Sequence, residues 1–468
     1  MAGSLIRRAT HDAENPLEAS LREAFNHQQG NLRPPFSLKS LAQEQYPRLN
    51  DAILFGILLE PRSAKTHIKL LHAIISDGYC HFTSMVTRIV DELYSKLVDS
   101  AKIQLIWVAR EMVDVVSVGF DGLLVALLRQ IVGGDFSEGN LWLCSEMVGV
   151  FLQKWDRLVE ENPLILTYGL YVFLRILADH GSLSGDSRLN MLKKLETEFC
   201  IRVLRERFDL CLKIGRDLVR LLQDLVHIAE FKSIWKDLLF NPGEFRVNDF
   251  KSMVKIYRLK TQSLYFSLRI TPEMERNLRF LLTNVKFGNQ KRYQAWFAKK
   301  FLSCSERETL LVDIARFICC TCRSSSEGAD ILPRWAVIGW LLMSCRKSYI
   351  EANFKLALFY DWLFFCEEGD DVMRAEPAIL LMANSIPKYS DITNALLEFL
   401  LILIDNYDAE RKDVIVNGVL SVFHALLMNG VIDSLDVLAH SDALSPVLRE
   451  MLKKLLSFME TSHTKELQ

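Results

Sequence analysis

The residues that could do chemistry are spread along the chain without the spacing that chemistry needs. The ten histidines include no His-Glu-x-x-His pair, the arrangement that puts two zinc ligands and a base on one helix face. His67 and His72 stand five apart, a poor match to one helix face, and read as core or surface residues. Cys319, Cys320 and Cys322 offer three thiols within four residues. They lack the paired Cys-x-x-Cys spacing of a zinc knuckle, however, and they continue the helical pattern of Leu310, Leu311, Val312 and Ile314. The glycine pairs, Gly119 with Gly122 and Gly133 with Gly134, follow no strand, so no phosphate-binding loop is predicted. Between Gly181 and Gly185 the central residue is Leu183, where a nucleophile elbow needs serine. The carboxylates are scattered over helix faces. The reading is a non-enzymatic chain with no catalytic, cofactor-binding or metal-binding residue.

One stretch concentrates side chains suited to contact. Between Arg269 and Phe365 lie Trp296, Trp335, Trp340 and Trp362, half of the eight tryptophans, with Tyr293 and Tyr360 and the bases Lys286, Lys291, Arg292, Lys299 and Lys300. Over Asn289 to Leu302 a 3.6-residue period lines up Tyr293, Trp296, Phe297 and Phe301 as an apolar stripe, expected to face inward. Arg292 and Lys299, seven apart, share another face with Lys291 nearby. A row of cations could meet an acidic partner or the phosphates of a nucleic acid, with an affinity that falls as salt rises. These five bases are the candidate contact residues. Trp335, Trp340 and Trp362 sit in nearly continuous apolar runs and read as core, because base stacking needs an exposed ring beside a cation.

The elements that position these residues are helices. Half of the 468 residues are hydrophobic and 24% are charged, a mixture suited to many amphipathic helices that each bury a wide stripe. Only 12 prolines and 21 glycines interrupt them. A single core stops growing at roughly 250–300 residues, so a chain of this length needs several cores or a solenoid. Successive helical runs are predicted around 64–76, 82–98, 102–118, 122–132, 140–158 and 163–179, then two long runs over 189–214 and 216–239. Asn15-Pro16, Thr271-Pro272, Glu376-Pro377, Ser390-Asp391 and Ser445-Pro446 announce helix starts, and Ser305 with Glu308 fits a capping box. Gly30 to Ser37, with Pro34-Pro35, reads as a linker.

No alternating strand pattern persists, and no fixed repeat period emerges. The fold predicted is all-α, an irregular HEAT-like α-solenoid of stacked antiparallel helix pairs. Its organisation would be a disordered 1–14, a helical-repeat subdomain over 15–181, a second over 188–460 and a flexible 461–468. The net charge of −2 creates no global field toward nucleic acid or lipid. No secretory signal precedes the ten cysteines, which read as free thiols of a soluble intracellular protein. The longest apolar run, Leu164 to Ala178, contains Arg175 and is too short to span a membrane.

Three stretches carry a resemblance. Arg269-Ile-Thr-Pro and the run from Val285 through Phe287-Gly288, Gln290-Lys-Arg-Tyr-Gln294 and Trp296-Phe297 closely resemble the family of the third subunit of the Integrator complex, which also serves in the sensor of single-stranded DNA (SOSS) complex. Ile331 to Leu342 and Lys355 to Phe365, followed by Glu376 to Leu380, match the same family. The resemblance implies a helical scaffold in the nucleus, and also the cytoplasm, that holds an OB-fold single-stranded DNA-binding protein together with a small accessory subunit. It further implies other Integrator subunits as partners, mainly indirect contact with nucleic acid, no membrane, and roles in DNA damage, snRNA processing and transcription termination. The second helical region of such proteins is expected to lie outside this sequence.

Overall fold

The computed structural model describes residues 3–7, 13–30, 32, 45–181, 183, 187–322 and 330–466. Most of the linker expected over 30–37 and of the loop near 182–187 lies outside them. The helices run α1 (Pro16–Gln28), α2 (Tyr46–Leu59), α3 (Ala64–Ile74), α4 (Cys80–Leu93), α5 (Asp99–Asp114), α6 (Phe120–Leu128), α7 (Glu138–Gln153), α8 (Trp155–Glu161) and α9 (Ile165–Gly181). There follow α10 (Ser187–Glu206), α11 (Phe208–Cys211), α12 (Asp217–Gln223), α13 (Ala229–Phe240), α14 (Val254–Arg258), α15 (Ser263–Ser267), α16 (Pro272–Asn284) and α17 (Lys291–Phe301). The remainder is α18 (Thr309–Thr321), α19 (Arg334–Met343), α20 (Ser348–Leu363), α21 (Glu376–Ser385), α22 (Ser390–Asn406), α23 (Lys412–Met428), α24 (Asp436–Ala439) and α25 (Pro446–Glu466). Among the described residues there is no strand beyond two isolated bridges, Ile6 with Leu97 and Lys286 with Ile331, and no helix long and apolar enough to cross a membrane.

The predicted caps form where short polar side chains meet orphan amides. Asn15 Oδ1 accepts from the amides of Leu17 and Glu18, Thr271 Oγ1 from that of Met274 and Ser445 Oγ from that of Leu448. At the expected box the Ser305 side chain lies outside the described residues, and the Glu308 half does not form: Ser305 to Glu308 make a 3-10 turn ahead of α18, and Glu308 instead accepts the amide of Arg346 at 2.6 Å. The two long central runs are also broken into shorter helices. Gly215 explains the break before α12: its φ is 78°, and a Cβ there would lie 2.6 Å from the Leu259 carbonyl oxygen.

Much of the packing joins helices near one another in the chain, as in an all-α solenoid, with α16 against α4 among the distant contacts. α2 packs on α1, α3, α4 and α5; α6 links α4 and α5 to α9; α10 covers α7 and α9. Further on, α18 carries α15, α19 and α20, while α20, α22 and α25 pack against α23. The apolar faces join into one continuous core. Trp362 is buried within it, and Trp335 and Trp340 pack against its edge.

Through the middle of this core runs a relay of alternating charges. Arg175 of α9 pairs with Asp313 of α18, which pairs with Arg269; Arg269 pairs with Asp217, Asp217 with Arg316, and Arg316 with Asp361 of α20. Arg216 then reaches Asp370 at 2.8 Å and donates to the backbone carbonyl of Asp361. Tyr171 closes the centre, its hydroxyl accepting from Arg269 Nε at 2.6 Å and donating to Asp217 at 2.9 Å. Four cations face four anions, so the charges of the relay sum to zero. Burial by itself would push the Asp217 carboxyl up, but Arg316, Arg269 and Arg220 outweigh it and hold it well below the usual carboxylate range. Asp179, beside the start of the relay, behaves oppositely. Burial and the neighbouring Asp313 push it up to about 6 against the pull of Arg175 and the amide of Gly134.

Two outcomes follow for stability. Asp217→Asn leaves Arg269 and Arg316 under-compensated in the core and should cost about 3–5 kcal/mol, measured by denaturant unfolding; a loss below about 1 kcal/mol would contradict a central role for Asp217. For Asp179 the folded carboxyl binds its proton more tightly than the unfolded one, so its contribution falls as pH rises from about 4 to about 6 and then levels off. Asp179→Asn removes that decline. The melting temperature of the variant should therefore gain on the parent's between pH 4.5 and 7, and a constant gap would rule this out.

Candidate partner-binding cleft

The cleft lies where α16 and α17 meet. α16 starts at Thr271-Pro272 and turns Met274, Leu278, Leu281 and Leu282 inward. The connection to α17 is held in shape by backbone pairing: Phe287 N donates to Asp330 O and Leu332 N to Val285 O. Gly288, with φ of 100°, makes the turn, and its amide donates to Gln290 Oε1. α17 is then anchored by two rings only, Phe297 and Phe301, both buried and packed near each other, with Phe297 edge-on to Trp340.

The stripe expected over α17 is thereby split, and the inward placement of its other two members is corrected. Trp296 is 49% exposed and Tyr293 40%. The reason is geometric. Trp296 stands one residue from Phe297, about 100° round the helix, so anchoring Phe297 and Phe301 turns it outward. Of the seven exposed aromatic side chains among the described residues, four belong here: Phe280, Phe287, Tyr293 and Trp296, the others being Phe240, Tyr349 and Tyr389. Phe280 and Tyr293 meet with ring centroids 5.8 Å apart. With Asn277, Leu281, Arg292, Trp296 and Phe297 they line a cleft of about 350 Å³.

All five candidate bases are exposed, and the structure gathers them unequally. Arg292 lines the cleft itself. Lys300 lies over the Trp296 ring, 5.1 Å from its centroid, and pairs with Glu273 at 2.5 Å. Lys286, Lys291, Arg292 and Lys299 make no ion pair among the described residues, Lys286 on the loop before α17 and Lys299 off the cleft lining. The result is an apolar floor edged by Arg292, unpaired among the described residues, with Lys300 over Trp296 and paired to Glu273. It can stack a flat or apolar group and attract negative charge.

Sequence reasoning passed over two buried constellations. The relay residues Arg175, Asp313, Arg316 and Asp361 each interrupt an apolar run, which is the signal that could have found them. Cys144, His180 and Glu196, from α7, α9 and α10, are the one convergent group of potential metal ligands among the described residues. Their separations of 36 and 16 residues fit no motif.

Fold and cleft together define an irregular α-solenoid whose main concentration of uncovered aromatic rings lies beside unpaired cations. The sequence matches the family model described as Integrator complex subunit 3 N-terminal over residues 44–454. It is 37% identical to Integrator complex subunit 3 of Homo sapiens over 467 residues, 97% of this chain and 44% of that protein. The Mus musculus protein of the same name is 37% identical over 400 residues, 85% of this chain and 38% of its own length. An Integrator complex subunit 3 homolog from Dictyostelium discoideum is 38% identical over 408 residues, 86% of this chain and 27% of its own. The chain belongs to the Integrator complex subunit 3 family, and it spans less than half the length of each of these relatives.

The split stripe is testable by stability alone. Phe297→Ala should lose about 3–5 kcal/mol by emptying a filled site, whereas Trp296→Ala should stay within about 0.5 kcal/mol of the parent. Equal losses in denaturant unfolding would mean that Trp296 is packed.

Proposed function

We propose that this chain is a non-enzymatic scaffold subunit of the Integrator complex, and that the cleft between α16 and α17 is a docking point for a partner protein of that complex. The observation that carries the reading is Trp296 and Tyr293, uncovered and flanked by Arg292 and Lys300. Aromatic rings and arginine dominate the energetics of protein interfaces, because a rigid ring or planar cation gains contact area at little entropic cost. Family membership supports other Integrator subunits as partners and a nuclear setting. Under the same reading the chain takes part in a sensor of single-stranded DNA, holding an OB-fold DNA-binding protein together with a small accessory subunit. It would thereby serve the DNA damage response and the processing and termination of RNA polymerase II transcripts.

A second reading is favoured by the same exposed rings: the cleft binds single-stranded nucleic acid directly, bases stacking on Trp296 and Tyr293 while Lys291, Arg292 and Lys299 meet phosphates. Charge and salt separate the two. Co-purification with the OB-fold protein should succeed, and the double variant Tyr293→Ala/Trp296→Ala should weaken capture by about 30-fold, on the order of 2 kcal/mol, without a change in melting temperature. Unaltered capture would remove the cleft from the interface; failure of the parent chain to associate would count against the scaffold role. Titrating single-stranded DNA against the chain alone tests the second reading. Binding that weakens steeply with salt and is lost in Arg292→Glu/Lys299→Glu would support it, and no binding at low salt would reject it.

A further inference from the structure

We propose that Cys144, His180 and Glu196 bind a single zinc ion, buried between α7, α9 and α10. The three side chains come from three different helices, and one potential ligand atom from each lies within 4.8 Å of the others. All three are shut away from solvent: Cys144 is 0% exposed, and the side chains of His180 and Glu196 are 2% and 0% exposed. His180 Nδ1 stands 2.9 Å from Glu196 Oε2. Two ligands at about 2.0–2.1 Å from a tetrahedral zinc are roughly 3.3 Å apart, so this edge of the site is already close to the required length. The thiolate, at about 2.3 Å from the metal, is reached by an inward shift of the Cys144 side chain of about an ångström.

A plain histidine–glutamate pair does not account for the cluster. Glu196 Oε1 is fully buried and accepts no hydrogen bond among the described residues, an omission that leaves its desolvation uncompensated, the more so for a charged acceptor. Cys144 Sγ, within 4.8 Å of a Glu196 carboxylate oxygen, takes part in no hydrogen bond among the described residues, as is also the case for buried Cys200 and Cys319, but it alone of these three stands in a convergent ligand group. A divalent cation held by both oxygens of Glu196 engages the orphan Oε1 and the sulfur at once. Zinc takes the Glu196 carboxylate through Oε2 and Oε1, the Nδ1 of His180 and the sulfur; the thiol loses its proton to solvent, and thiolate plus carboxylate balance the charge of the ion. Cysteine and histidine together select a borderline-soft metal over magnesium or calcium, which prefer all-oxygen ligands. Phe136, packed against His180 with ring centroids 6.0 Å apart, also lines a surface cleft with Trp142, Leu189 and Leu192. The ion acts as a staple: it ties the α7–α9–α10 layer together, where none of the ten cysteines forms a disulfide.

The test is reconstitution of the full chain with zinc and, as a spectroscopic probe, cobalt(II). One equivalent of zinc should remain after gel filtration, and cobalt should give visible d–d bands with a thiolate-to-metal charge-transfer band in the near ultraviolet. Cys144→Ser should abolish the charge-transfer band, and Glu196→Gln should weaken zinc by at least about 100-fold. Cys319→Ala, a buried thiol elsewhere, should change neither reading, and circular dichroism of each variant confirms that it is folded. Folded parent protein that retains no more zinc than Glu196→Gln would overturn the proposal. A charge-transfer band that survives in Cys144→Ser and disappears when exposed Cys80, Cys304 and Cys366 are alkylated would also overturn it, by assigning the metal to the surface.

Discussion

The electrostatic relay from Arg175 to Asp370 is the constraint around which the centre of the solenoid is arranged. Repeat stacks usually gain stability one neighbour at a time, through apolar contacts that tolerate sliding. A charge held by two opposite charges inside the core does not tolerate it: Asp217 must face both Arg269 and Arg316, and Asp313 both Arg175 and Arg269. Each arginine presents a planar fork of donors, so the pairs fix orientation as well as distance. The desolvation of eight charges makes the relay a poor source of net stability compared with an apolar core. Its structural effect is registration, fixing how α9, α12, α18 and α20 meet.

That registration bears on the cleft. Arg269 lies two residues ahead of the cap that starts α16, so the relay positions the root of the helix whose far end carries Phe280. α16 is held from another side as well, through Arg129 to Glu275 and Arg276 to the carbonyl of Asp91. α17 has only Phe297 and Phe301 in the core. A fixed helix and a lightly anchored one form the two walls. The arrangement leaves four aromatic rings uncovered near a rigid base, a placement that core packing alone would not favour.

The class of fold was legible because a 3.6-residue period, few breakers and polar caps all point the same way. Asn15, Thr271 and Ser445 cap helices as their types suggest, since the interaction is local and needs no knowledge of the rest of the chain. Glu308 does not, because a distant amide at Arg346 competes for its carboxylate. The aromatic stripe on α17 was legible as helical but not as to depth: periodicity identifies a face, and only the neighbouring helices decide how much of its arc is covered. The relay was readable only as anomalies, single charges at Arg175, Asp313 and Asp361 within apolar runs. Their partners are set by three-dimensional packing, which one sequence does not encode in any spacing. The same holds for Cys144, His180 and Glu196.

The span of the relay also sets an order of events during synthesis. Chains emerge from the ribosome amino terminus first, and their domains tend to fold in that order. Arg175 meets Asp313 across 138 residues of chain, and Arg216 meets Asp370 across 154. Until the later partners emerge, Asp217 and Arg269 can already pair, but Arg175 lacks Asp313 and Arg216 lacks Asp370. The first half of the molecule therefore completes its centre only when the second half arrives. Nascent chains halted before α18 should remain open at the same layer that the finished protein holds most firmly in register.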